Sequence, residues 1–251
     1  MKSTRWLMMV AFMGLNSAVA FAQTEISVIA PGGIRAAMEQ LIPVFESKTG
    51  YKVKAAYGSG PASRQMVARG DAVDVAIVQS PLEEVLASGQ VVESSVKPLA
   101  SIQLGVALKK GAPKPDMSSP EAVKKSLRAA KSIVYPDAAT AAGVGFDLAL
   151  KNMGLAEEIQ PKLRRVANGT AAMKATADGE AELGITFLSE MGDAVDSAGP
   201  LPKEFSTPPS LVGFLSSHTK DKKAAQAFLD FIAGNEAAEV YRKLGMTPSA
   251  H

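Results

Sequence analysis

Four stretches of this chain repeat one layout: a short apolar strand, a turn of small or hydroxyl residues, then an amphipathic helix. They read ISVIAPGGIRAAM (26–38), VKAAYGSGPASRQM (53–66), SIVYPDAATAAGVGFDL (132–148) and LRRVANGTAAMKA (163–175). Strands alternating with helices predict an α/β protein built on mostly parallel sheets. The layout also carries a chemical expectation. A helix N-terminus presents unpaired backbone N–H groups and about half a positive charge, so several such ends meeting at one cleft form an anion site without lysine or arginine.

In open α/β sheets, ligands bind beyond the carboxyl ends of the strands, and all four turns sit at such ends. Gly32 and Gly33 let backbone approach a ligand. Ser59 supplies a hydroxyl beside Gly60, and Pro61 suits the first helical turn. Thr140 and Gly143 flank the third turn, and Gly169 and Thr170 open the fourth helix. Taken singly, each is also an ordinary strand-to-helix connection or helix cap. No Walker loop or GxGxxG pattern is present. Arg35 and Arg64 each follow a turn by a few residues and can offer a bidentate fork to a carboxylate, although the solvated face of a helix is the commoner place for such an arginine. Phe187, ending the strand LGITF, fits an apolar cleft wall or ordinary core. Asp74 and the acidic residues at 180–182 form no pair that spacing alone would assign to acid–base chemistry.

The first 22 residues read as a secretory signal peptide: basic Lys2 and Arg5, an apolar stretch over 6–15, and the small-x-small signal at 20–22. The apolar stretch is short of a membrane span, which takes about 20 residues. Without that segment the 27 Lys+Arg fall to 25, matching 25 Asp+Glu. No basic excess points to nucleic acid. The chain has no Cys and only His218 and His251, which argues against thiolate metal sites, cysteine nucleophiles and His-based triads. No metal, cofactor or catalytic residue is expected.

The apolar run at 99–109 is long for one strand and leads into Gly-Ala-Pro-Lys-Pro, so it can leave one lobe and enter another. The Gly/Pro/Ser-rich stretch at 197–210 can carry the return. The expected division is lobe one at 23–102 plus 192–251, and lobe two at 103–191.

Four segments carry a resemblance: VIAPGGIRAAMEQLIPVFESKTGYKV, YGSGPASRQMVARGDAVDVAIVQS, AELGITFLSEM and KAAQAFLDFIAGNEAAEVYRKLGMTP. The chain resembles the molybdate-binding-protein-like branch of bacterial extracellular solute-binding proteins. The resemblance implies a type II periplasmic-binding-protein fold, in which two α/β lobes close on a small anion. It also implies a periplasmic monomer that hands its ligand to an ABC transporter permease. The family's anion contacts carry over to Gly33, Ser59, the turn around Ala142, Gly169 and Phe187. Molybdate binders resemble this chain with serine in place of Gly33 and tyrosine in place of Phe187, so two hydroxyl donors are missing. Hydrogen bonds to charged groups contribute about 1.5–3 kcal/mol each, which turns the expectation from molybdate towards an organic anion, with Gly33 and Phe187 leaving room for its carbon skeleton. Some relatives of the family are periplasmic aconitate isomerases, so an isomerase of a small polycarboxylate is the alternative, for which no base is identified.

Overall fold

A computed structural model describes residues 24–250; the expected signal peptide lies outside the described residues. The chain opens with β1 (Glu25–Pro31), α1 (Arg35–Thr49), β2 (Lys52–Gly58), α2 (Gly60–Ala68) and β3 (Val75–Gln79), followed by a short α3 (Glu83–Ala87) and β4 (Lys97–Ser101). Next come β5 (Leu104–Lys109), α4 (Pro120–Ala129), β6 (Ile133–Pro136), α5 (Ala141–Met153), β7 (Leu163–Val166), α6 (Gly169–Asp178), β8 (Leu183–Phe187) and β9 (Val195–Pro200). It closes with β10 (Ser210–Leu215), α7 (Lys222–Ala233), α8 (Asn235–Lys243) and β11 (Thr247–Pro248).

These strands form two sheets, one ordered β11-β4-β10-β3-β1-β2 and the other β7-β6-β8-β5-β9. The strands that lead into the four turns, β1, β2, β6 and β7, pair in parallel with one another or with β3 and β8. The remaining pairings, through β4, β5, β9, β10 and β11, are antiparallel. The sheets are thus mixed, where the alternation of elements suggested mostly parallel ones. The reason is directional. β5 and β10 have each just crossed between sheets, so they start at the end where the parallel strands finish and can only run away from it.

The apolar run at 99–109 divides into β4 and β5, which lie in different sheets. The two crossings lie side by side: Ile102 N–H donates to Pro209 O at 3.1 Å, and Leu201 N–H to Leu104 O at 2.8 Å. β9 pairs with β5 in the second sheet, so residues 195–200, assigned to lobe one from sequence, hydrogen-bond within lobe two. The return crossing follows Pro200.

Local sequence accounts for the layers. β3 (VAIVQ) is buried along its whole length, as a strand covered on both faces should be. β2 (KVKAAYG) alternates exposed and half-buried residues at the sheet edge, where lysines discourage pairing with another chain. α1 buries Ala37, Met38, Leu41 and Phe45 and ends at Gly50, whose φ of 76° closes the helix. The C-terminal segment forms two helices, α7 and α8, because Gly234 is extended between them. Phe45 meets Phe228 edge-on at 5.1 Å, which fixes α7 against α1 with about 0.5–1.5 kcal/mol beyond the area buried. The result is that all four turns open onto the gap between the sheets.

Candidate functional site

The turns surround one cleft of about 580 Å³. Gly32, Gly33, Ser59, Gly60, Thr140, Ala142, Gly169, Thr170 and Phe187 all line it, and so does Arg35. Arg64 does not. Its Nη1 donates to the backbone carbonyl of Gln79 at 3.0 Å, where it braces the end of β3.

In each of the last three turns a side chain caps the helix. Ser59 Oγ accepts from Ala62 N–H at 3.3 Å, Thr140 Oγ1 from Gly143 N–H at 3.0 Å, and Asn168 Oδ1 from Ala171 N–H at 2.9 Å. Each cap satisfies the third helical N–H and leaves the ones before it directed out of the helix end. Pro61 has no N–H, so α2 offers Gly60, while α5 offers Ala141 and Ala142, and α6 offers Gly169 and Thr170. The hydroxyls differ. Thr140 gives its proton to Asp137 O at 2.9 Å, so it serves the turn rather than the cleft, and its contribution is the helix end that it caps. Ser59 accepts in its cap and keeps its proton to give.

Gly33 behaves differently from expectation. A β-carbon there would stand 2.6 Å from Ile102 Cδ1 and 3.7 Å from Phe187 Cδ2. The space vacated by a side chain at this position is filled by Ile102 from the crossing, so Gly33 adds no room for a ligand. Its carbonyl accepts from Ser189 Oγ at 2.7 Å.

Several cleft residues escaped the sequence reading. Gln79 is 1 % exposed, and its Nε2 has no partner. It packs against Gly60, where a β-carbon would meet Oε1 at 2.1 Å. Its one sequence signal is a polar residue ending an apolar strand. Tyr57 lies under Arg35, with the guanidinium carbon 4.6 Å from the ring centre. Burial and the nearby Glu39 push the Tyr57 phenol up to about 12 against the pull of Arg35, so it stays a neutral O–H.

Glu190 follows β8 in a single turn of 3-10 helix, Leu188–Glu190, and faces the cleft. Its carboxyl is wedged between lobes: Oε1 lies 3.5 Å from where a β-carbon on Gly32 would stand, and Oε2 lies 2.5 Å from one on Gly169. Thr186 Oγ1 donates to Oε2. Burial pushes this carboxyl up, while the Thr186 hydroxyl, the Phe187 N–H and Arg35 act in the opposite direction; the net direction is upward. The charged residues lining the cleft are Arg35, Glu39 and Glu190: one cation and two acids among many N–H donors.

Asp74 is not part of this site. It lies just ahead of β3, away from the cleft, and takes hydrogen bonds from Ser27 N–H at 2.9 Å, Ser27 Oγ at 2.6 Å, Thr219 Oγ1 at 3.0 Å and Lys220 N–H at 3.0 Å. Glu180 and Glu182 pair with surface groups of lobe two. Among the described residues, no group of three or more His, Cys, Asp or Glu side chains could hold a metal, and no helix is long and apolar enough to cross a membrane.

The chain is similar to known proteins over most of its length. A family model described as bacterial extracellular solute-binding protein matches residues 26–247. An aconitate isomerase from a Pseudomonas species is 32% identical over 235 residues, covering 90% of this chain and 88% of that protein. The molybdate-binding protein ModA of Azotobacter vinelandii is 27% identical over 247 residues, covering 91% and 92%. Among solved structures, the periplasmic molybdate-binding protein of Azotobacter vinelandii has a TM-score of 0.74 at 21% identity, covering 90% of this chain and 100% of that one.

Proposed function

This chain belongs to the bacterial extracellular solute-binding proteins, and from that premise we propose that it is a periplasmic receptor that holds a small organic anion between its lobes for an ABC transporter permease. One observation carries the choice of ligand: helix ends from both lobes, Arg35 and the unpartnered amide of Gln79 all line a single cleft. Its volume of about 580 Å³ falls within the roughly 300–1,000 Å³ typical of pockets for organic ligands. Helix ends suit carboxylates and oxyanions alike. The missing hydroxyls at Gly33 and Phe187 count against a tetrahedral metal oxyanion, and Ile102 occupies the place that a donor at position 33 would need.

Isothermal titration with trans-aconitate, citrate, sulfate, phosphate and molybdate tests this. A polycarboxylate should bind at least about 100-fold more tightly than molybdate, the equivalent of two lost hydrogen bonds to a charged ligand. Tight molybdate binding without carboxylate binding overturns the reading.

A second reading, isomerisation of a small polycarboxylate in the same cleft, is favoured by one observation: a carboxyl group, Glu190, stands among the anion donors. A base there can take a proton from carbon next to a carboxylate, and the helix ends can stabilise the charge that develops. The 32% identity to an aconitate isomerase supports testing it. Proton NMR of trans-aconitate incubated with the protein, scored for cis-aconitate, decides between catalyst and receptor.

A further inference from the structure

An anion site built from helix ends has no evident need for an acid, yet Glu190 is held in this one by contacts on several sides. The residue before it, Ser189, is buried and tied to Gly33 O in the opposite lobe. Thr186 and the Phe187 N–H hold the carboxyl itself. Gly169 makes room for it, since a side chain there would collide with Oε2 at 2.5 Å, and Oε1 faces Gly32 across the cleft. These contacts hold its carboxyl at the cleft wall.

The charge balance then matters. From α1, the charged groups on the cleft are Arg35 and Glu39. The residues meeting Glu190 from β8 and α6, Thr186 and Gly169, are uncharged, and β5 meets this turn through Gly105 against Leu188 and Met191. One arginine thus serves two acids before any ligand enters. A multiply charged anion placed beside an ionised Glu190 would add a third like-signed group. Like charges sharing a site are relieved when one of them takes up a proton.

We infer that Glu190 is the proton-carrying group of this cleft: it is a neutral acid when an anion is bound, gives its proton to that anion as a hydrogen bond, and makes capture proton-linked. The inference rests on the anion-receptor reading above and adds a chemical preference to it. Affinity should rise as pH falls through the range in which Glu190 gains its proton, by up to about tenfold per pH unit. Burial already favours the neutral form, in the same sense as the geometry.

The test is isothermal titration of the full mature protein with trans-aconitate and with sulfate, between about pH 5.5 and about pH 8. Two buffers of different ionisation enthalpy are used, neither of them a carboxylate or phosphate. The expected result is a buffer-dependent heat corresponding to uptake of up to about one proton per anion, with affinity increasing towards acid pH. Glu190→Gln, which keeps the shape and an N–H donor, should still bind, with buffer-independent heat and a flat pH profile. Binding by the unaltered protein with no proton uptake overturns the role of Glu190 and leaves the anion reading intact. Linkage that persists in Glu190→Gln also overturns it, because the proton then goes elsewhere. Absence of binding to every probe removes the anion reading and this inference together.

Discussion

Gly60 and Gln79 fit as socket and occupant: a β-carbon on Gly60 would stand 2.1 Å from Gln79 Oε1, and the amide so held keeps its Nε2 unpaired in a side chain 1 % exposed. A buried donor without a partner costs about 1–3 kcal/mol. The fold carries that cost at the start of α2, one residue from Ser59, whose hydroxyl also has a proton to give. Two donors, one from a strand end and one from a helix cap, thus stand together on the lobe-one side of the cleft.

Replacing Gln79 by Met, of similar volume and without the orphaned donor, should therefore leave stability unchanged or raise it by about 1 kcal/mol. The same change should lower anion affinity by about tenfold or more. Thermal unfolding and titration on one preparation give both readouts. Unaltered affinity would mean that Nε2 does not reach the ligand.

The two arginines near the turns should separate cleanly. Arg35→Lys keeps the charge but loses the planar fork and its stacking on Tyr57, so affinity should drop by about tenfold with little change in melting temperature. Arg64→Met should do the reverse in emphasis. It strips the Gln79 carbonyl of its guanidinium partner and costs about 1 kcal/mol of stability, with a smaller effect on binding. Equal effects of the two changes on affinity would contradict the assignment.

Gly143→Ala is expected to be severe. The added carbon would lie 1.9 Å from Asp137 O and 2.5 Å from Pro136 O, and both neighbours are backbone at the end of β6, where no rotamer can yield. A loss of more than about 3 kcal/mol is expected, read by chemical denaturation. Gly33→Ala meets only the tip of Ile102 and should cost clearly less.

Asp74 predicts the acid limb of stability. Burial pushes its carboxyl up, but the hydrogen bonds from Ser27, Lys220 and Thr219 together outweigh that and hold it below the usual range. A lowered value in the folded state gives stability that is present above the unfolded value, about 3.9, and is lost as pH falls through the folded one. Asp74→Asn should cost about 1 kcal/mol near neutrality, a low figure because the group is partly exposed. The gap to the unaltered protein should narrow below about pH 4. Urea denaturation at stepped pH checks the slope.

The strand–turn–helix units were legible in sequence because their signals are local: apolar runs of strand length, small residues at the turns, helical spacing after them. The split of the run at 99–109 was legible for the same reason. What escaped depends on contacts distant in sequence. Gln79 ends an apolar strand and looks like its last residue; only the approach of Gly60 gives its amide a role. Glu190 stands in one turn of 3-10 helix, too short for any periodicity, and its meaning comes from Gly32 and Gly169, far away along the chain. Arg35 and Arg64 follow their turns at similar spacing, and nothing local tells which will face the cleft. Strand direction was hidden too, since an apolar strand reads alike either way.

The order of strands in the first sheet also bears on how the protein is made. β10 lies between β3 and β4, which do not touch each other without it. As the chain emerges, the second sheet has all its strands once Pro200 is out, whereas the first stays in two unjoined pieces until Ser210–Leu215 arrives. The middle of the sequence can thus mature before its beginning. A stalled or clipped chain ending before residue 210 would have one finished lobe and one that exposes its core to any chaperone or protease nearby.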